Sequence, residues 1–170
     1  MTTKIQNFPH PAAGQAVGFS WSNFFKHEQA GYDDLYVMSP IDRSVLVKIG
    51  APSRSLTAIA KDMNIPRDRF ITLIGVKRAT AARKLSSNSK LSADESERLV
   101  GIAKLIGQVE SIVKESGNPE NFKPARCFAQ WIEEPSSALG GRKPADLLDT
   151  ADGREAVSRL LAQMQSGAYA

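Results

Sequence analysis

Histidine, cysteine and clustered carboxylates carry most protein chemistry, and this chain keeps them apart. Its histidines are His10 and His27, both in a stretch punctuated by proline and glycine, and its single cysteine is Cys127. A zinc site needs four nitrogen or sulfur ligands at close spacing, and an activated nucleophile needs a base within hydrogen-bond reach. Neither pattern is present in the sequence, so no metal, no cofactor and no catalytic residue is expected, and the chain reads as a non-enzyme. Cys127 stands beside Phe128 in a helical pattern and reads as a buried, inert thiol. Asp146, Asp149 and Asp152 fall at helix starts, where a carboxylate favours the positive end of the helix dipole. Gly140, Gly141 and Gly153 read as turn and packing residues, because no lysine–serine/threonine pair follows them at phosphate-loop spacing.

The chemistry that is present is cationic. Net charge is +4 and the isoelectric point about 9.3, and the cations are unevenly spread. Arg54, Lys61, Arg67, Arg69, Lys77, Arg78, Arg83, Lys84 and Lys90 share their stretch with Asp62 and Asp68 alone, whereas the C-terminal part is slightly acidic. A polyanion suits the middle of the chain and a different partner suits the end. Within the basic region, Ile65 to Leu85 reads as a helix, a tight turn at Gly75-Val76, and a second helix. Phe70, Ile71 and Ile74 supply the inner face of the first helix, and Ala79, Ala82 and Leu85 that of the second. Lys77, Arg78, Thr80, Ala81, Arg83 and Lys84 are then left outward as a DNA-recognition surface. Small residues permit close approach, arginine bonds guanine edges, and lysine reaches phosphates.

These residues are positioned by an all-α chain. Its 170 residues are 42% hydrophobic and 24% charged, a globular composition. No run is long and apolar enough to span a bilayer, the start does not read as a signal peptide, and a lone cysteine fits a reducing compartment. A cytoplasmic protein is expected, with no membrane partner. Residues 1–38 read as a partly ordered N-terminal arm that packs on the body or on a second copy, with a short helix near Trp21 to His27. Residues 39–117 form the helix-turn-helix domain and a long following helix. Ser39 and Pro40 open its first helix, whose apolar stripe is Ile41, Val45, Leu46 and Ile49, and Gly50 stops it. Leu56, Ile59, Ala60 and Met63 face inward on the next helix. Ser92-Ala93-Asp94-Glu95 is a capping box before a seam at Leu99, Ile102, Ile106, Val109 and Val113. Residues 118–170 form a second module: a helix from Pro124, a Gly140-Gly141 turn, a short helix at Pro144 to Leu148, and a last helix with Val157, Leu160, Leu161 and Met164.

Two stretches together resemble a known family. Gly75 to Leu85 followed by Leu91 to Leu99 resembles the Xre-like domain of the Xre/MbcA/ParS antitoxins. Trp131-Ile132, Pro135, Ala138 to Pro144, Leu147 to Thr150, Gly153, Val157, Leu160-Leu161 and Gly167 are similar to their C-terminal toxin-binding domain. The resemblance covers roughly Ser39 to Ala170. It implies the antitoxin of a type II toxin–antitoxin system, whose cognate toxin is a RES-domain enzyme that consumes NAD or ADP-ribosylates proteins. Such an antitoxin covers the toxin's active site and, as a homodimer, binds operator DNA to repress its own transcription. The toxin-binding residues expected on this basis are Trp131, which also reads as a core anchor, Leu139, the outward-reaching Arg142 and Lys143, and Gly167, Tyr169 and Ala170 of the tail. A transcriptional repressor with a C-terminal dimerisation or ligand-sensing domain is the alternative that the residues leave open.

Overall fold

The computed structural model describes residues 21–24, 31–117 and 122–166, and within them the chain is all-α. The helices are α1 (Trp21–Phe24), α2 (Tyr32–Val37), α3 (Pro40–Ile49), α4 (Arg54–Asp62), α5 (Arg67–Leu73), α6 (Arg78–Ser86), α7 (Ala93–Glu115), α8 (Pro124–Trp131) and α9 (Ala151–Gln165). Short 3-10 turns at Ser137–Leu139 and Pro144–Leu147 join α8 to α9. Among the described residues no helix is long and apolar enough to cross a membrane.

Helix α7 is the axis of the molecule, with α2, α3, α8 and α9 packed around it. Its start is the expected capping box: the Ser92 hydroxyl accepts the Glu95 N–H, and the Glu95 carboxylate accepts the Ser92 N–H at 2.7 Å. Leu99, Ile102, Ile106 and Val109 are buried along the seam, and Val113 is half-buried as the helix emerges. Glycine inside a helix costs about 1 kcal/mol relative to alanine, so Gly101 and Gly107 need a reason. At Gly107 an added Cβ would strike the Tyr32 carbonyl, so this glycine is where α2 lies flush on α7. The Tyr32 hydroxyl then donates to Asp62 at 2.6 Å and ties α2 to α4. Burial, reinforced by the Asp62 charge, pushes that phenol far above its usual range.

Gly101 makes room for Arg154 of α9, whose Nε would lie 2.5 Å from an added Cβ. The Arg154 side chain is only 7% exposed. Its Nη2 donates to both Glu97 oxygens at 2.7 Å, and its Nη1 donates to the Leu148 carbonyl at 3.0 Å. A buried cation is tolerated only when its donors are matched in this way. Thr150 caps α9 by accepting the Gly153 N–H at 3.1 Å, and Gly153 has no Cβ because the Leu147 carbonyl occupies that space.

Helix α3 starts and stops as expected: Ser39 accepts the Asp42 N–H at 3.1 Å, and Gly50 takes φ +84°. Of its expected apolar stripe, Leu46 alone feeds the core. Leu46 is buried with Val47 partly so, while Ile41, Val45 and Ile49 are 77%, 42% and 50% exposed. The helix meets α7 through the neighbouring face, roughly 100° round its axis.

Two outcomes follow. Arg154→Met keeps the side-chain stem but strips the guanidinium, and urea unfolding should show a loss of about 2–3 kcal/mol. The second concerns Glu95. Burial opposes its charge, but hydrogen bonds from Lys84 and Ser92 and the Lys84 charge hold its carboxyl below the usual range. The stabilisation is therefore present above the ordinary carboxylate pKa and is lost as pH falls through the lower folded value. Glu95→Gln preserves the capping box and deletes the ion pair, so it should cost about 1 kcal/mol at neutral pH, with the gap closing in acid. A gap that persisted in acid would show that the ion pair is not its source.

Candidate functional site

The helix-turn-helix is built from α5, a four-residue turn and α6. Phe70, Ile71 and Ile74 are buried as expected. Gly75 takes φ +67°, and Val76, 7% exposed, plugs the angle and donates its N–H to the Ile71 carbonyl at 3.0 Å. Lys77, in extended conformation, then opens α6. From α7, Arg98 reaches across to the Gly75 carbonyl at 3.1 Å and the Asp149 carbonyl at 3.4 Å. One guanidinium thus braces both the turn and the approach to α9.

The exposed face of α6 differs from the expected one. Lys77, Arg78 and Arg83 are exposed, and Thr80 is half-buried. Ala81 is fully buried, while Ala79 and Ala82, expected inside, are exposed. Lys84 turns inward as well: its Nζ lies 2.5 Å from Glu95, with side chains 16% and 12% exposed. Ala81 and Lys84 therefore leave the recognition surface. Alanine carries too little apolar area to fix a helix face, and the Lys84–Glu95 pair sets the rotation instead. Arg69 is likewise engaged, 2.5 Å from Glu133 beyond α8. The outward cations of α6 are Lys77, Arg78 and Arg83, around the small Ala79 and Ala82.

In the C-terminal module, Trp131 is half-buried against the core, its ring 6.2 Å from that of buried Phe128. Leu139 is half-buried at the end of a 3-10 turn. Ser136 and Arg142 then pair as an isolated bridge, the Ser136 N–H donating to the Arg142 carbonyl at 3.0 Å. The loop closes through Gly140 and Gly141 at φ +65° and +80°, a conformation that side chains resist. Arg142 is presented outward and exposed. Lys143 is not: it is half-buried, and its Nζ lies 3.3 Å from Glu133. Hydrogen bonds from Arg69 first, then Lys143, hold the Glu133 carboxyl below its usual range against partial desolvation. Gly167, Tyr169 and Ala170 lie outside the described residues, as do His10 and His27. Cys127 is exposed rather than buried, although partial desolvation raises its thiol pKa; Phe128 takes the inward position.

Sequence reasoning missed Arg154, Glu97, Arg98 and Glu133. A glycine in mid-helix at 101 was the one available sign that something packs close there. Among the described residues no group of acids, histidines or cysteines is arranged to hold a metal. A cleft of about 380 Å³ runs between α3, α7 and α9, but its acids are committed, Glu97 to Arg154 and Glu155 to Arg159.

Comparison with known proteins matches two stretches of the chain. Residues 42–104 match the antitoxin Xre-like helix-turn-helix domain, and residues 122–167 match the antitoxin Xre/MbcA/ParS C-terminal toxin-binding domain. The chain is 40% identical to the Prs ADP-ribosylating antitoxin of Sphingobium sp. (strain YBL2), covering 82% of this chain and 87% of that protein. It is 23% identical to antitoxin Xre of Photorhabdus laumondii, over 73% of this chain and 78% of the relative. With antitoxin Xre of Pseudomonas putida it shares 25% identity over 61% of this chain and 56% of the relative. The chain belongs to the Xre/MbcA/ParS antitoxin family, regulatory proteins and not enzymes.

Proposed function

We propose that this antitoxin inhibits a RES-type toxin, an NAD-consuming ADP-ribosyltransferase, and that it binds operator DNA as a homodimer to repress its own transcription. Residues 118–170 cover the toxin's active site, and residues 39–117 bind DNA. The observation that carries the toxin assignment is the 40% identity to an antitoxin named for Prs ADP-ribosylation, extending over 87% of that protein. The loop at 136–142 supports it, since two glycines and a backbone bridge hold Arg142 out from the body. A guanidinium there suits carboxylates at the mouth of a nucleotide pocket. The DNA assignment is supported by the exposed row of Lys77, Arg78 and Arg83 on α6. Arg69 and Lys84, paired within the protein, contribute less to phosphate binding.

Purified chain added in stoichiometric amount should abolish NAD consumption by the toxin. Arg142→Glu should weaken that inhibition roughly tenfold or more while leaving operator affinity unchanged. Unchanged inhibition would remove Arg142 from the interface. Lys77→Ala and Arg83→Ala should each weaken operator binding and flatten the dependence of log affinity on log salt by about 1, as expected on losing one phosphate contact. An unaltered slope would take that cation off the DNA.

A further inference from the structure

Among the described residues, the exposed large apolar side chains other than Met164 gather on and beside the outer face of α3. Ile41, Val45 and Ile49 follow one another at intervals of one helical turn, 77%, 42% and 50% exposed. Val37, at the end of α2, precedes them by four residues and is 73% exposed. Together these side chains present roughly 400 Å² of apolar surface, at the size where a patch on a soluble protein marks an interaction site. Neither α6 nor the 136–142 loop contributes a residue to it, so the surface is separate from both proposed functions.

We infer that this face is where a second copy of the chain docks, with α3 packed antiparallel against its twin about a two-fold axis at Val45. A two-fold interface must be complementary to itself: if one residue meets another, the reverse contact also forms. The order isoleucine, valine, isoleucine meets that demand, since reversing it sets Ile41 against the partner's Ile49 and Val45 against the partner's Val45. The antiparallel direction also brings Asp42, near the helix start, level with the partner's Lys48 near the helix end. A parallel pair would bring like charges level and align the helix dipoles unfavourably. The area agrees: two such faces with the flanking Pro40, Ser44 and Lys48 bury on the order of 1,000 Å², the lower bound for a specific interface. The inference names the surface for the homodimer in the proposed autorepressor and rests on that reading.

The test uses the full-length protein in sedimentation velocity over a concentration series, beside a toxin-inhibition assay. The wild type should be a reversible dimer. Val45→Glu, which sets two carboxylates against each other at the axis, should raise the dimer dissociation constant roughly tenfold or more. Its circular dichroism and its toxin inhibition should stay unchanged. Ile49→Glu serves as a second variant should the first disturb folding. In a Cys127→Ser background, Val45→Cys should form an intermolecular disulfide under mild oxidation, because packed helices bring such positions within bonding distance. A Val45→Glu protein that dimerises as well as the wild type would overturn the inference, leaving toxin inhibition as separate evidence on the antitoxin reading. A monomeric wild type that still inhibits toxin would overturn the inference while sparing that reading. A monomeric wild type whose toxin inhibition is lost on Val45→Glu would give the face to the toxin and overturn the inference.

Discussion

The guanidinium of Arg154 fixes how the two halves of this protein sit together. Removing a cation from water is costly, and it is offset here by the two Glu97 oxygens and the Leu148 carbonyl. That arrangement needs a helix surface without a side chain beneath it, and Gly101 supplies one. Helix α9 therefore has one seat on α7, and its start is pinned by the Thr150 cap and the close approach of Gly153 to Leu147. The next residue of α7, Arg98, extends the same brace to the turn of the helix-turn-helix. Consecutive residues of one helix hold both modules.

This brace sorts the cations of the molecule into structural and available ones. Arg154, Arg98, Lys84, Arg69 and Lys143 all have partners within the protein. Lys77 and Arg83 face outward on α6 with Arg78, which also donates to the Thr72 hydroxyl at 3.4 Å, and Arg142 faces outward on its glycine loop. A basic composition alone would have assigned all of them to nucleic acid. On the proposed function, an outward basic helix and a separate outward arginine loop give one small protein two surfaces, one for a polyanion and one for an enzyme.

Much of this was legible in the sequence where a local rule governs. The Ser92–Glu95 box, the Ser39 cap, the Gly50 and Gly75 turns and the α7 seam each depend on a few neighbouring residues, and each forms as read. Illegible features depend on partners distant in sequence. Glu97 and Arg154 are charged residues on separate helices, with no local sign that they meet. The rotation of α6 is not legible in the sequence, because Ala79, Ala81 and Ala82 are nearly interchangeable in apolar area and the deciding contact is Lys84 with Glu95. On α8 the choice lay between adjacent residues, and the larger Phe128 displaced Cys127 from the core. On α3 the stripe is apolar as read, but Ile41, Val45 and Ile49 face outward while Leu46 turns inward, since periodicity reports that a face is apolar and not what covers it.

The most direct measurement is isolation of this protein from its native host, with mass spectrometric identification of what remains bound. The expected result is a tightly held NAD-consuming enzyme that arrests growth when expressed alone and is harmless when co-expressed with this chain. Recovery of specific operator DNA with no such enzyme, and no rescue on co-expression, would contradict the toxin-inhibiting role and leave a plain repressor.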